Sequence, residues 1–194
     1  MSSRGAREVR QGGRRFDPDR RSRIIDACLD VIAERGVAGT SHRRVAAAAD
    51  VPLGSMTYHF DGMGELLQVA FARFADSIAD RFDTRLGAAH NQAEARASVE
   101  AIITRDVFGS QRDLILTQEL YTLAARDPAF REVTNAWMAR SRTALTRHFD
   151  PETTVLLDAL IEGLTLHAAL NTAPPNRELV RRAIDRITTA QEAR

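Results

Sequence analysis

The chain contains no lysine: all 27 of its basic residues are arginines. It has one cysteine, Cys28, so an internal disulfide is excluded and a reducing cytosol suits it. No apolar run approaches the ~20 residues that span a bilayer. The opening "MSSRGAREVRQGGRRFDPDRR" lacks the apolar segment of a secretory signal. A cytoplasmic protein with no membrane partner is therefore expected. No stretch alternates convincingly in the manner of a strand, which argues against a sheet. At 194 residues the chain is long enough to bury a real core in one moderate domain or two small ones.

What is present is charge at one end and helical periodicity beyond it. Residues 1–23 hold eight arginines against Glu8, Asp17 and Asp19, a net of +5, which leaves −4 for the rest of a chain whose total is +1. A basic arm ahead of a near-neutral body fits contact with a polyanion such as nucleic acid; a disordered solubilising tail has the same composition. Beyond the arm the apolar period is close to 3.6 almost throughout. Helices are expected at about 18–35, with Asp17 as N-cap and Pro18 at the first position, then at 42–49, 53–60 and from Gly62 onward. Further helices follow at about 92–108, 111–126, 129–149, 152–171 and 177–192, with Asp127-Pro128 and Asp150-Pro151 as caps. This is an all-α chain of about nine helices. Cys28 falls on the apolar stripe of the first helix and reads as a small core residue.

The stretch "VPLGSMTYHFDGMGELL" holds the functional signal. Two short helices about three residues apart, the first ending in small residues, form a helix-turn-helix pattern. At ~100° per residue, Met56 and Phe60 share one face, Leu53 and Thr57 lie along its edge, and Gly54, Ser55, Tyr58 and His59 fall opposite. An outward face of hydroxyls, imidazole and a bare glycine suits a nucleic-acid groove. His59 has no His or Cys three or four residues away, which disfavours a metal site. "GSM" lacks the glycine pattern of a hydrolase elbow. No catalytic residue, metal or cofactor is expected, and a solvated helix face is the plain alternative.

Residues Thr40 to Leu67 resemble the DNA-binding domain of TetR-family transcriptional regulators. The likeness is carried by Gly39-Thr40, Val45-Ala46, Val51, Gly54-Ser55, Tyr58-His59-Phe60 and Leu66. The stretch Gln118 to His167 is similar to the RcdA (YbjK)-like branch of that family, as is "VPLGSMTYHF". The resemblance implies an N-terminal three-helix reader at 17–62, behind a disordered basic arm at 1–16. A helical ligand-binding and dimerisation domain at 63–194 would follow. It further implies that Thr40 meets a phosphate, that Arg43 reaches base edges, and that His42 and Arg44 contact backbone or solvent. Leu53, Gly54, Ser55, Thr57, Tyr58 and His59 would line the recognition surface. The chain departs from the family pattern in having Thr57 at a usually aromatic position, Met63 where lysine is frequent, and Asp50 in a turn that usually holds glycine. Aspartate tolerates the left-handed conformation better than most residues. Losing two phosphate contacts shifts anchoring toward the arginine arm, so deleting residues 1–15 should weaken all DNA binding and flatten its salt slope.

A reader of two half-sites needs two copies of the chain. The last two helices hold more apolar surface than one subunit hides, and the family pairs such helices into a four-helix bundle. The expected interface comprises Leu156, Leu160, Gly163, Leu164, His167, Val180, Ala183, Ile184 and Ile187. An effector site, implied by the family, would draw on Phe74, Ile78, Phe108, Gln118, Tyr121, Thr122, Trp137, Met138 and His167, although ordinary core packing accounts for any single one. The expectation is a homodimeric repressor, cytoplasmic and nucleoid-associated. It would bind a near-palindromic double-stranded operator and respond to a small organic effector. The alternative is a helical ligand-binding or interaction module whose reader no longer recognises specific DNA.

Overall fold

A computed structural model describes residues 17–107, 110–171 and 176–192. Among them are nine α-helices and no strand. The first is α1 (Arg20–Arg35), followed by α2 (His42–Ala48), α3 (Gly54–His59) and α4 (Met63–Gly87). The body continues with α5 (Gln92–Ala101), α6 (Gln111–Ala124), α7 (Pro128–Leu145), α8 (Pro151–Leu170) and α9 (Arg177–Glu192). At its C-terminal end α5 widens into a π-helical segment, Ile102–Val107. The basic arm and Phe108 lie outside the described residues.

Capping explains most of the boundaries. Ser41, Asn91 and Ser110 each accept a backbone N–H from the third residue onward, at the starts of α2, α5 and α6. Asp127 and Asp150 cap α7 and α8, with Pro128 and Pro151 at the first helical position as their sequences imply. The Thr153 and Glu152 amides, with the Thr153 hydroxyl, hold the Asp150 carboxyl below the usual carboxylate range. The start of α1 differs from expectation. Asp17 does not cap a helix beginning at Pro18; its carboxylate accepts from Arg23 at 2.7 Å and from the Asp19 amide at 3.1 Å. Residues 18–19 form a turn with Asp19 as the N-cap residue, and α1 starts two residues later than expected.

Two apolar clusters build the core. One joins α1, α2, α3 and the first half of α4 to Leu116 and Leu120 of α6 and to Phe130 and Trp137 of α7. The other joins the end of α4 to α5, the π segment, the end of α7, α8 and α9. The first three helices thus share one core with the body, so a displacement of α6 or α7 is felt by the reader.

Cys28 is fully buried in that shared core, and burial pushes its thiol up to about 12. Because the thiolate is the reactive form, a disulfide reagent at pH 8 should label the native protein negligibly and the denatured protein at once. Rapid native labelling would mean that α1 opens away from the core.

Candidate nucleic-acid interface and effector cavity

The reader's geometry follows from two tight connections. Gly36 ends α1 at φ +68, and a Cβ on Gly39 would come within 2.4 Å of the Arg35 carbonyl oxygen. Glycine is therefore required at the second position for the chain to fold back into α2. Between α2 and α3 the turn passes through Asp50 at φ 51, the left-handed conformation expected of it. The Val51 amide closes that turn on the Ala46 carbonyl at 3.0 Å. Val45, Ala46, Ala49, Met56 and Phe60 are buried beneath. The Arg21 guanidinium sits 5.0 Å above the Phe60 ring and fastens α1 to the end of α3.

With that face occupied, the other face of α3 looks outward. Tyr58 is 83% exposed and Leu53 51% exposed. Gly54 and Thr57 are exposed beside them, and His59 is half-buried with its ring edge-on to Tyr58. A Cβ built on Gly54 would touch nothing within 4 Å, so the space above it is open to an external molecule. Arg43 projects from α2 with no hydrogen bond or ion pair among the described residues, whereas Arg44 donates to the Gly39 carbonyl.

Three expected contacts need revision. Ser55 is 9% exposed and belongs to the buried side: its amide closes on the Pro52 carbonyl at 2.8 Å, which turns the first residues of α3 inward. His42 is half-buried, and its Nε2 is covered without a partner among the described residues, so that atom is turned away from solvent. The Thr40 hydroxyl donates to the Gly36 carbonyl at 2.9 Å, so its proton reaches a phosphate only by giving up that bond.

A cavity lies between α4, the π segment, α6, α7 and α8. It holds about 60 Å³ open to the centres of water molecules, or about 650 Å³ of atom-free space with its mouth included. Ile78, Tyr121 and Trp137 line it as expected; Tyr121 and Trp137 are stacked with centroids 6.1 Å apart. Phe74 is buried behind Trp137, ring edge to face. Gln118 and Thr122 do not reach the cavity but line a separate shallow groove. Leu114, Thr117 and Tyr121 share the inward face of α6, and one residue onward turns ~100° away from it. Met138 is half-buried elsewhere on α7, and His167 lies exposed on α8.

Sequence reasoning missed the cavity's four carboxylates, Asp106, Asp113, Asp158 and Glu162. Arg85 holds Asp106 through two 2.9 Å bonds. Arg81 holds Asp113 at 2.6 Å, and Arg142 holds Asp158 at 2.7 Å. Glu162 accepts instead from the Tyr121 hydroxyl. Burial pushes the Glu162 carboxyl above the usual range, with the Tyr121 hydrogen bond opposing and the Asp158 charge adding to the rise. Burial and the neighbouring Glu162 charge likewise raise Tyr121. A signal was available: Asp158, Glu162 and Thr165 fall at i, i+4 and i+7, polar positions on one face of a largely apolar helix.

Residues 24–70 match the family described as bacterial regulatory proteins, tetR family, and residues 91–190 match the tetracyclin repressor-like C-terminal domain. The chain belongs to the TetR family. The solved structure of SCO7518 from Streptomyces coelicolor A3(2) is 59% identical over 89% of this chain and 99% of that one, with a TM-score of 0.83. The multidrug binding protein EbrR, solved with ethidium, is 34% identical over 88% of this chain and 99% of that one, at a TM-score of 0.77. The transcriptional regulator PksA of Bacillus subtilis is 26% identical over 85% of this chain and 86% of that one. The chain is accordingly a helix-turn-helix transcriptional regulator rather than an enzyme, and it works in the cytoplasm, where bacterial DNA is.

In this TetR-family chain the expected pairing helices divide unequally. Val180 and Ile184 are buried at 3% and 1%, packed into the second core cluster, and so are not available to a partner. Leu160, Leu164 and Ile187 lean on the same cluster, half-buried, and Ala183 is half-buried as well. Leu156, Gly163 and His167 remain exposed, together with Val155, Leu166, Leu170 and Leu179. Contrary to the expectation from apolar runs, α8 is by length and composition apolar enough to cross a membrane, and 28% of its apolar window is buried within the subunit.

Proposed function

We propose that this regulator is a homodimeric repressor. It binds a near-palindromic operator through α2 and α3 and is released by a small organic effector held in the cavity. The outward face of α3 supports the reading most directly: Leu53, Gly54, Thr57 and Tyr58 are exposed while the opposite face is fully packed. Thr40, Arg43, Arg44 and His59 complete the surface offered to DNA. We place the reader at 17–62 and the regulatory and dimerisation body at 63–194, with the basic arm supplying further phosphate contact and nucleoid association. Assignment to the RcdA (YbjK)-like branch belongs to the same proposal. Solved structures of EbrR hold imidazole, ethidium, proflavin and malachite green, which favours an organic effector.

The test is selection of genomic fragments by the purified protein, then titration of the selected fragment against scrambled DNA at several salt concentrations. Specific binding about 10³-fold or more tighter than scrambled DNA at moderate salt supports the reading. Equal, salt-sensitive binding to every fragment would leave a helical module with an unused reader. Arg43→Ala carries a sharper expectation. Operator affinity should fall about 10-fold with specificity relaxed at one base position, because a guanidinium pairing with guanine contributes ~1–3 kcal/mol of discrimination. A uniform loss across sequences would assign Arg43 to phosphate instead.

A further inference from the structure

The cavity's charge is unevenly compensated. Asp106, Asp113 and Asp158 each face an arginine within 2.9 Å, so each pair is close to neutral. Glu162 has no arginine or histidine partner among the described residues, and its one hydrogen bond comes from the Tyr121 hydroxyl, a neutral group. A partly buried carboxylate with only a neutral donor is costly, and the cost is relieved by a proton or by a positive charge placed against it. Beside it stand the stacked rings of Tyr121 and Trp137, with Phe82, Ile78 and Ile161 forming the remaining apolar wall.

Accepting the cavity as the effector site, we infer that its effector is an aromatic organic monocation. Its charge is met by Glu162 in place of the Tyr121 hydroxyl, and its ring lies against Tyr121 and Trp137. An aromatic face and a carboxylate together satisfy both halves of such a ligand. A bare metal ion does not suit the site, because no group of three His, Cys, Asp or Glu able to hold one occurs among the described residues. A neutral ligand offers Glu162 no charge in return for the Tyr121 hydrogen bond. The water-accessible volume of about 60 Å³ is room for only a few waters. Entry of a ring therefore requires lining side chains to move, and a turn of Tyr121 would both make room and free Glu162.

Calorimetric titration of the full-length protein with N-methylacridinium, a fixed cation, and with neutral acridine at pH 7.5 separates charge from ring. The wild-type protein should bind the cation about 10-fold or more tightly, the scale of a hydrogen bond to a charged group. Glu162→Gln keeps the side chain's shape and its acceptor for Tyr121; it should abolish that preference while leaving acridine binding within about 3-fold. Tyr121→Phe removes the competing hydroxyl and should strengthen cation binding. Equal binding of the two compounds by the wild type, absent binding of both, or an unchanged preference in Glu162→Gln would overturn the inference. Operator titration of the same samples keeps the two readings apart. Specific operator binding without a cation preference overturns the effector class alone. A cation preference without specific operator binding overturns the regulator reading and leaves the cavity assignment standing.

Discussion

Gly163→Arg should yield a folded monomer whose operator affinity falls by about 10²–10⁴-fold, the advantage that linked half-site binding confers. The expectation starts from α8, where Leu156, Ala159, Gly163, Leu166 and Leu170 recur at alternating spacings of three and four residues and are all exposed. A row with that spacing is one helical seam, and its apolar content has no covering element among the described residues. Gly163 stands at its centre, where lack of a side chain permits close helix crossing. A Cβ there touches nothing within 4 Å inside the subunit, so arginine costs the isolated chain nothing sterically. Replacing glycine in a helix interior even favours the helix by about 0.5–1 kcal/mol. Across the seam the same side chain places bulk and charge at the closest approach. Sedimentation velocity should show the mass halved, circular dichroism the helix content kept, and operator titration the loss of affinity. A persistent dimer with intact operator binding would move the interface off this face of α8.

Two of the nine expected interface residues, Val180 and Ile184, are buried within the subunit. Val180 and Ile184 form with Ala183 and Ile187 an apolar stripe on α9, and periodicity reports the stripe without reporting what covers it. In the fold, α9 lies against α5 and α8, and Val180, Ile184 and Ile187 complete the second core cluster. By contrast, α8 is apolar nearly all round, so one side is consumed internally and the other is left over. Local signals were read more securely. Asp127-Pro128, Asp150-Pro151 and the left-handed Asp50 depend on a few adjacent residues, and each appears as its chemistry requires. Ser55 departs from the helical wheel because it lies in the first turn of α3, where its amide bonds the Pro52 carbonyl. Glu162 was overlooked because its partner is 41 residues away, on another helix. No local pattern announces that a carboxylate will face a phenol instead of an arginine.

The link between cavity and reader gives the second large effect. Glu119→Ala should reduce the ratio of operator Kd with and without saturating N-methylacridinium toward one, from a wild-type ratio of about 5–150-fold, the ordinary range of allosteric coupling. Glu119 lies two residues from Thr117 and Tyr121, both of which line the cavity. Its Oε2 accepts the Val37 amide at 3.2 Å, in the turn between α1 and α2. Its Oε1 packs so closely on Gly36 that a Cβ there would stand 2.7 Å away. Glu119 thus offers movement of Tyr121 one route to the reader. The substitution also strands the Val37 amide, so stability should fall by about 1–3 kcal/mol. A competing route runs along α4, which lines the cavity through Ile78, Arg81 and Phe82 and holds α1 through Arg73, bonded to Ser22 and to Asp26 at 2.8 Å. Arg73→Ala is the matched control. If Glu119→Ala leaves the ratio intact and Arg73→Ala collapses it, α4 transmits the signal. If Glu119→Ala alone collapses it, the reader responds to α6. Loss in both would mean that α1 must be gripped on two sides for ligand entry to move the recognition helix.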